Sequence, residues 1–200
     1  MYAYDAKGYY MYLPALFITH DFQHVYLSDF DAKVHQLNKY TIGVSLFELP
    51  GFLIAHAYAT HHSAAYKPDG YSTPYQVAGI MSTLFGAVFG LMLLRHILLL
   101  YFSDWVSAFT LLCIAFGTNL YCYVIFESGM SHPFSFFVFS VVAYCTIQWH
   151  RWHRPLHLYL LALFIALAAV IRPVNGMVAI IPLLWDIKSV SDLRKRISSS

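Results

Sequence analysis

An acidic residue near the start of the sequence stands just before a glycine and two tyrosines. Asp5 opens the stretch DAKGYYMYLPALF, in which Gly8 permits a close turn. A carboxylate held beside aromatic rings suits a general base that takes the proton of a sugar or lipid hydroxyl. The alternative is structural, with Asp5 capping the N-terminus of a helix over residues 6–13. Asp5 is the first candidate for a catalytic residue.

Two basic residues could bind a phosphate group. Lys39, in NKYTIG, could hold one as a point charge, or its ammonium could extend to lipid headgroups. Arg172, in IRPVN, suits bidentate contact with a phosphate, and Pro173 fixes the backbone behind it. Its alternative role is an anchor at a membrane surface. The two residues predict an anion-binding site.

Five further polar residues could line the same site. They are Glu48, Asp69, Asn119, Glu127 and His132. His132 would lie near the positive end of a helix that Ser131 caps and Pro133 begins, or it is a structural histidine. Asp69 belongs to an Asp-Gly turn and could instead act as a ligand or an acid. Glu48 falls inside an apolar run, where an ionisable group favours a functional interpretation.

The composition predicts an integral membrane protein. Hydrophobic residues make up 59% of the 200 residues and charged residues only 11%, whereas soluble domains carry about 25% charged residues. The net charge is +2 and no basic stripe is present outside the C-terminal tail. This balance argues against nucleic acid as a partner and makes membrane lipids the expected surroundings.

The cysteines and histidines do not predict a metal site. All three cysteines (Cys113, Cys122, Cys145) fall inside apolar runs and are interpreted as core residues. The histidines within residues 56–62 follow the pattern His-x4-His-His, which matches no zinc site. The sequence also has no phosphate-cradling glycine loop and no nucleotide-binding motif. No metal and no cofactor are therefore expected.

Six apolar segments must position these residues. Segment A covers 40–59, B 75–94, C 105–126, D 133–149, E 156–171 and F 174–187. One Arg or Lys follows segment B, two follow D and four follow F, so the positive-inside rule predicts that these two loops and the tail are cytoplasmic. The turn ESGMSHP between C and D has neither residue and should face outward.

Segment A is predicted not to cross the bilayer. Glu48, Pro50 and His56 would be costly at the bilayer centre. The expected fold is therefore an all-α, polytopic transmembrane bundle in three parts. Residues 1–74 form a long extracytoplasmic loop with juxtamembrane helices, 75–187 form five transmembrane helices, and 188–200 form a basic cytoplasmic tail with a short amphipathic helix at 189–197. The odd number of crossings predicts another transmembrane helix before Met1.

Five stretches of the chain resemble the amino-terminal half of GT-C-class integral membrane glycosyltransferases. They are DAKGYYMYLPALF, NKYTIGVSLFELPGFLIAH, DGYSTPYQ, GTNLYCYVIFESGMSHPFSFF and IRPVNGMVAIIPLL. In particular, they resemble bacterial membrane proteins related to the protein mannosyltransferase and aminoarabinose transferase group. The resemblance covers nearly all of the chain and implies a bacterial cytoplasmic membrane protein.

The resemblance also implies roles for individual residues. Family members have one transmembrane helix, then a long outer loop that begins with an acidic catalytic base, and Asp5 matches that acid. A lysine near the second juxtamembrane segment contacts the donor phosphate, and Lys39 matches it, although the prolines that usually follow are absent. Ala6 stands where the family often has a second acid. The chain thus resembles an amino-terminal fragment, which is expected to be inactive alone.

Three functional hypotheses remain open at this point. The first is a glycosyltransferase that passes a sugar from a polyprenyl-phosphate donor to a lipid, glycan or protein acceptor on the outer side. The second is a transporter or a lipid-binding membrane protein without chemistry. The third is a structural subunit or an inactive truncation. Transporters usually place polar residues at the bilayer midplane on broken helices, whereas the polar residues here collect at one face, which favours the enzyme.

Overall fold

The computed structural model describes residues 4–22 and 38–187 of the chain. Within these two ranges every regular element is helical and no β-strand is present, which confirms the all-α fold class. The predicted tail 188–200, with its amphipathic helix, lies outside the described residues.

The two described ranges contain eleven helical elements. They are α1 (Tyr4–Tyr10), α2 (Tyr12–Pro14), a π-helical turn (Ala15–Thr19), α3 (Gly43–His61), α4 (Thr73–Leu98), α5 (Asp104–Gly117), α6 (Leu120–Ile125), α7 (Ser131–Trp152), α8 (Pro155–Ile171), a 3-10 helix (Pro173–Ala179) and α9 (Ile180–Leu184). Predicted segments B, D and E correspond to α4, α7 and α8. Segment A corresponds to α3.

Proline sets the sharp turn between α7 and α8. His153 ends α7 in the left-handed region with φ of 48°. Arg154 is then extended, because the ring of Pro155 disfavours helical backbone in the residue before it, and Pro155 is itself the first residue of α8. The two helices therefore lie antiparallel.

Segments C and F do not form single helices. In segment C, Thr118 is extended and separates α5 from α6. Its hydroxyl donates to the carbonyl of Ile114 at 2.7 Å and accepts from the amide of Leu120 at 3.2 Å, so a side chain replaces helical backbone bonds. Most of segment F belongs to a 3-10 helix, which begins at Pro173 just before it, and to the five residues of α9, which contain Pro182. A proline has no N–H to donate, so neither part extends into a long helix.

Among the described helices, α4 alone is long and apolar enough to cross a membrane. It has 26 residues, and its most apolar window has a mean hydropathy of 2.1 with 28% of that window buried. The shorter apolar helices are α5, α8 and the segment Pro173–Leu184. At 1.5 Å per residue, the 14 residues of α5 span roughly 21 Å, less than the ~30 Å of a hydrocarbon core.

Glycines bring α4 and α7 close together. A Cβ added at Gly90 would lie 2.6 Å from Cδ1 of Phe136, and one at Gly86 would lie 3.3 Å from Cδ1 of Phe134. Phenylalanine rings of α7 thus fill the space that the missing side chains leave. The amide of Gly129, just before α7, donates to the hydroxyl of Thr83 at 2.9 Å. Residue numbers rise together in both helices, so α4 and α7 are parallel.

Helix α3 begins where α8 ends and then follows only the first part of α4. A Cβ at Gly43 would lie 2.4 Å from the backbone nitrogen of Ile171, and the hydroxyl of Thr41 donates to the Ile171 carbonyl at 2.6 Å. Further along α3, Gly51 lies against Ser82, and His56 Nδ1 is 2.6 Å from the hydroxyl of Tyr75. Since α7 begins beside residue 83 of α4, the first ten residues of α4 extend about 15 Å beyond it.

Candidate functional site

Asp5 is bonded to a tyrosine from a distant part of the chain. The carboxylate is half-buried in the first turn of α1, and the hydroxyl of Tyr40 donates to its Oδ1. Gly8 makes this contact possible, because a Cβ there would lie 2.1 Å from Cδ2 of the Tyr40 ring. The side-chain amide of Asn38 also donates to the Gly8 carbonyl at 2.6 Å. Residues 38–40 are therefore docked onto α1.

A second tyrosine connects this pair to Arg172. The rings of Tyr9 and Tyr40 meet edge to face, with centroids 4.8 Å apart. Nε of Arg172 donates to the hydroxyl of Tyr9 at 3.2 Å. The hydroxyl of Ser45, in the first turn of α3, donates to the backbone carbonyl of Tyr9 and ties α1 to α3. Asp5 and Arg172 thus belong to one cluster through two aromatic rings.

Lys39 completes this cluster from the solvent side. The residue is exposed, and its Nζ lies 5.1 Å from the centroid of the Tyr40 ring, within the range of a cation–π contact. The structure therefore brings together Asp5, Lys39 and Arg172, which are 34 and 133 positions apart in the sequence. The predicted acid and the two predicted phosphate-binding cations lie in one place.

His132 and Glu127 lie on the same side as Arg172. His132 precedes predicted segment D and is stacked on Tyr123, with centroids 4.1 Å apart. Burial lowers the pKa of His132 first, the positive charge of Arg172 lowers it further, and the carboxylate of exposed Glu127 opposes both. The charges of Arg172 and Glu127 both act on His132, so the first turn of α7 lies within electrostatic range of Arg172.

Glu48 is buried beneath the cluster. Its side chain is 1% exposed, and neither carboxylate oxygen has a hydrogen-bond partner among the residues that the structure describes. Ser45 and Phe52 share its face of α3 and contact Tyr9 and Tyr10 of α1 respectively, so Glu48 also faces α1. Burial raises the pKa of Glu48 well above its ordinary value. The site thus includes a carboxyl group in an apolar layer.

The contacts of the other two predicted residues lie elsewhere. Oδ1 of Asp69 accepts from the amides of Tyr71 at 2.8 Å and Ser72 at 2.9 Å, so this carboxylate holds the turn that Gly70 makes with φ of 84°. The loop still contacts α1, because the hydroxyl of Tyr10 donates to the Gly70 carbonyl at 2.6 Å. Asn119 is exposed before α6 and makes no side-chain capping bond there.

Tyr9 and Tyr40 belong to the site although residue type and spacing did not predict them. Each is a direct neighbour of a predicted feature, since Tyr9 belongs to GYY and Tyr40 follows Lys39. With 16 tyrosines in the chain, residue type alone does not distinguish these two. Only the contact between α1 and residues 38–40 shows their role.

An apolar cavity lies on another face of α3. It has a volume of about 820 Å³, is open on one side, and is lined by residues of α3, α4 and α7, including Phe47, Ile54, Phe85 and Phe137. None of its lining residues in the described part of the chain is charged. The cavity is separate from the cluster around Asp5, because the two lie against different faces of α3.

No protein family, curated protein or solved structure matches this chain. The function is therefore argued from the site. Within the described ranges, no group of three His, Cys, Asp or Glu side chains could hold a metal ion. The cluster instead presents a carboxylate, two cations and two phenols, a set that can accept a proton and bind an anion.

Proposed function

We propose that this chain carries the active site of an integral membrane glycosyltransferase, which moves a sugar from a polyprenyl-phosphate donor to a lipid, glycan or protein acceptor. The observation that carries the proposal is the cluster in which Asp5, Tyr40, Tyr9 and Arg172 follow one another in contact, with Lys39 beside them. An acid that can accept a proton, next to cations that can hold a phosphate, provides the groups that this reaction needs.

Each predicted residue has a part in the proposed step. The acceptor hydroxyl attacks the anomeric carbon of the sugar while Asp5 takes its proton. The bond between the anomeric carbon and the phosphate oxygen breaks, and the polyprenyl phosphate leaves with the electron pair. Lys39 and Arg172 stabilise the charge that develops on the phosphate. Because the displacement is direct, the configuration at the anomeric carbon is inverted.

The arrangement of the helices supports a location at the outer surface of a membrane. In the proposed topology, residues 75–187 cross a bacterial cytoplasmic membrane five times and residues 1–74 lie outside. Helix α4 has the length and hydropathy of a spanning helix. Helix α3 begins at the end of α8 and follows the part of α4 that extends beyond α7. This geometry favours a site at the ends of the crossing helices, where a lipid-linked phosphate would lie.

Lipid binding without chemistry, including transport, is the second candidate function, and the apolar cavity favours it. A volume of about 820 Å³ without charged lining accommodates a hydrocarbon chain. In this alternative, Lys39 and Arg172 hold a lipid phosphate and Asp5 has only a structural role. The two candidates differ in whether the sugar leaves the donor.

The test is the Asp5→Asn variant of this protein. The assay follows the loss of radiolabel from undecaprenyl-phosphate-linked hexoses in vesicles. The amide oxygen of asparagine can still accept the bond from Tyr40, but the amide cannot act as the base, so turnover should fall by about 10²–10⁴-fold while thermal stability is kept. Asp104→Asn is the matched control, because Asp104 is exposed and pairs with Arg95 at 3.1 Å, outside the cluster.

Two outcomes would contradict the proposal. Near-normal turnover in the folded Asp5→Asn variant would show that Asp5 is not the base. Donor binding by the wild type without any release of sugar would favour the lipid-binding alternative.

A further inference from the structure

The carboxylate of Asp5 already holds one hydroxyl group. Tyr40 donates to Oδ1, and among the described residues nothing donates to Oδ2, so this second oxygen could accept from a substrate hydroxyl. A general base needs its accepting oxygen aimed at the proton that it removes. A side chain that fixes one carboxylate oxygen also fixes the direction of the other.

Tyr40 is itself held at its backbone and at its ring. The hydroxyl of Tyr12 donates to the Tyr40 carbonyl at 2.5 Å, and the Tyr40 amide donates to Oδ1 of Asn38 at 3.1 Å. The ring fills the space beside Gly8, where a Cβ would lie 2.1 Å away, and meets Tyr9 edge to face. A side chain restrained in this way is unsuited to occupying the acceptor site and moving away when the acceptor binds. It is suited to holding Asp5 in one orientation.

We propose that Tyr40 is the positioning residue that orients Asp5 toward the acceptor and sets its distance from the phosphate-binding cations. The inference rests on the proposed function and deepens it. Tyr40 contacts Asp5 through its hydroxyl and Lys39 through its ring. The same ring packs against Tyr9, whose hydroxyl accepts a hydrogen bond from Arg172. The acid and the cations therefore keep one spacing in the absence of substrate, which lowers the cost of aligning donor and acceptor.

The Tyr40→Phe variant tests this role, because it keeps the ring and removes only the hydroxyl. In the vesicle assay with undecaprenyl-phosphate-linked hexose, we expect kcat to fall about 10–100-fold, as for a small misplacement of a catalytic group. KM for the donor and the midpoint of thermal unfolding should stay close to those of the wild type. Tyr159→Phe, at an exposed tyrosine of α8, is the matched control and should leave kcat unchanged.

A double-mutant comparison separates a positioning role from a general structural one. If Tyr40 acts through Asp5, Tyr40→Phe should cause no further loss of turnover in the Asp5→Asn background. If Tyr40→Phe does not fold, 3-fluorotyrosine at position 40 keeps the ring and strengthens the donor. We then expect a lower kcat, because the carboxylate becomes a weaker base.

The outcomes separate this inference from the proposed function. A wild-type kcat in folded Tyr40→Phe, an unchanged kcat with 3-fluorotyrosine, or a full additional loss in the Asp5→Asn background would each overturn the role of Tyr40 while leaving Asp5 as the base. A wild-type protein that releases no sugar would overturn the proposed function and this role with it.

Discussion

Replacing Glu48 by glutamine should stabilise the protein at neutral pH. The side chain is 1% exposed and neither oxygen has a partner in the described part of the chain, so the fold favours the neutral acid. Glutamine has the same shape and is neutral at every pH. The substitution therefore removes the cost of protonating the carboxyl group and leaves the packing of α3 against α1 in place.

The size of the effect follows from linkage. The pKa of Glu48 is raised in the folded state, so the folded state binds more protons than the unfolded state above the ordinary value of about 4.3. The neutral carboxyl group of Glu48 therefore adds fully to the free energy of unfolding below that pH, and this contribution is lost as the pH rises. Each pH unit between the unfolded and folded pKa values costs about 1.4 kcal/mol of stability, so the destabilisation grows as the pH rises above the ordinary range of a glutamate. For a chain of this size, each such pH unit corresponds to about 3–6 °C in the unfolding midpoint.

The assay is thermal unfolding in detergent at several pH values between 4 and 7. The midpoint of Glu48→Gln should match the wild type near pH 4 and exceed it increasingly toward pH 7. Glu127→Gln is the matched control, because Glu127 is the other glutamate of the chain and is exposed. A Glu48→Gln variant that is less stable than the wild type at pH 7 would refute the reasoning, because it would show that the carboxylate is ionised and paired.

Three further predictions concern the anion site, the fit of Tyr40 and the topology. Lys39→Ala and Arg172→Ala should each weaken binding of undecaprenyl phosphate, measured by calorimetry, by about 1.5–3 kcal/mol, whereas Arg172→Lys should lose only part of that affinity. Unchanged affinity in both alanine variants would show that Lys39 and Arg172 are interfacial anchors. Gly8→Ala should cost roughly 1–3 kcal/mol of stability because its Cβ meets the Tyr40 ring, whereas Gly117→Ala has open space and should not, so equal unfolding midpoints would contradict the fit. A cysteine at Ser63, in a Cys-free background, should react with an impermeant thiol reagent from outside; labelling only after permeabilisation would place that loop in the cytoplasm.

The long helices were predictable because their signals are local. Apolar runs between charged or proline-containing turns gave α4, α7 and α8, and the prolines at 74 and 155 lie at helix starts. Segment C was not predictable as two helices, since the break depends on the Thr118 hydroxyl bonding to the backbone. Segment F follows Pro173 and contains Pro182, and the 3-10 helix at its start depends on how the chain leaves α8.

The charged members of the site were predictable from residue type, but the tyrosines were not. Asp5, Lys39 and Arg172 stand out because an apolar sequence has few charges, and a charge at the edge of an apolar run indicates a site. Their meeting depends on contacts between α1, residues 38–40 and the end of α8, which no local pattern encodes. The burial of Glu48 depends in the same way on which face of α3 meets α1.

The bond between Arg172 and Tyr9 joins residues that are 163 positions apart, and this separation has a consequence for folding. Ribosomes add about 5–20 residues per second, so Arg172 is made roughly 8–33 s after Tyr9. Throughout that interval α1 has neither the guanidinium nor the end of α8 to hold it. Contacts over such long separations form late, because the chain between them must first be ordered. The cluster around Asp5 is therefore among the last parts of the described chain to assemble.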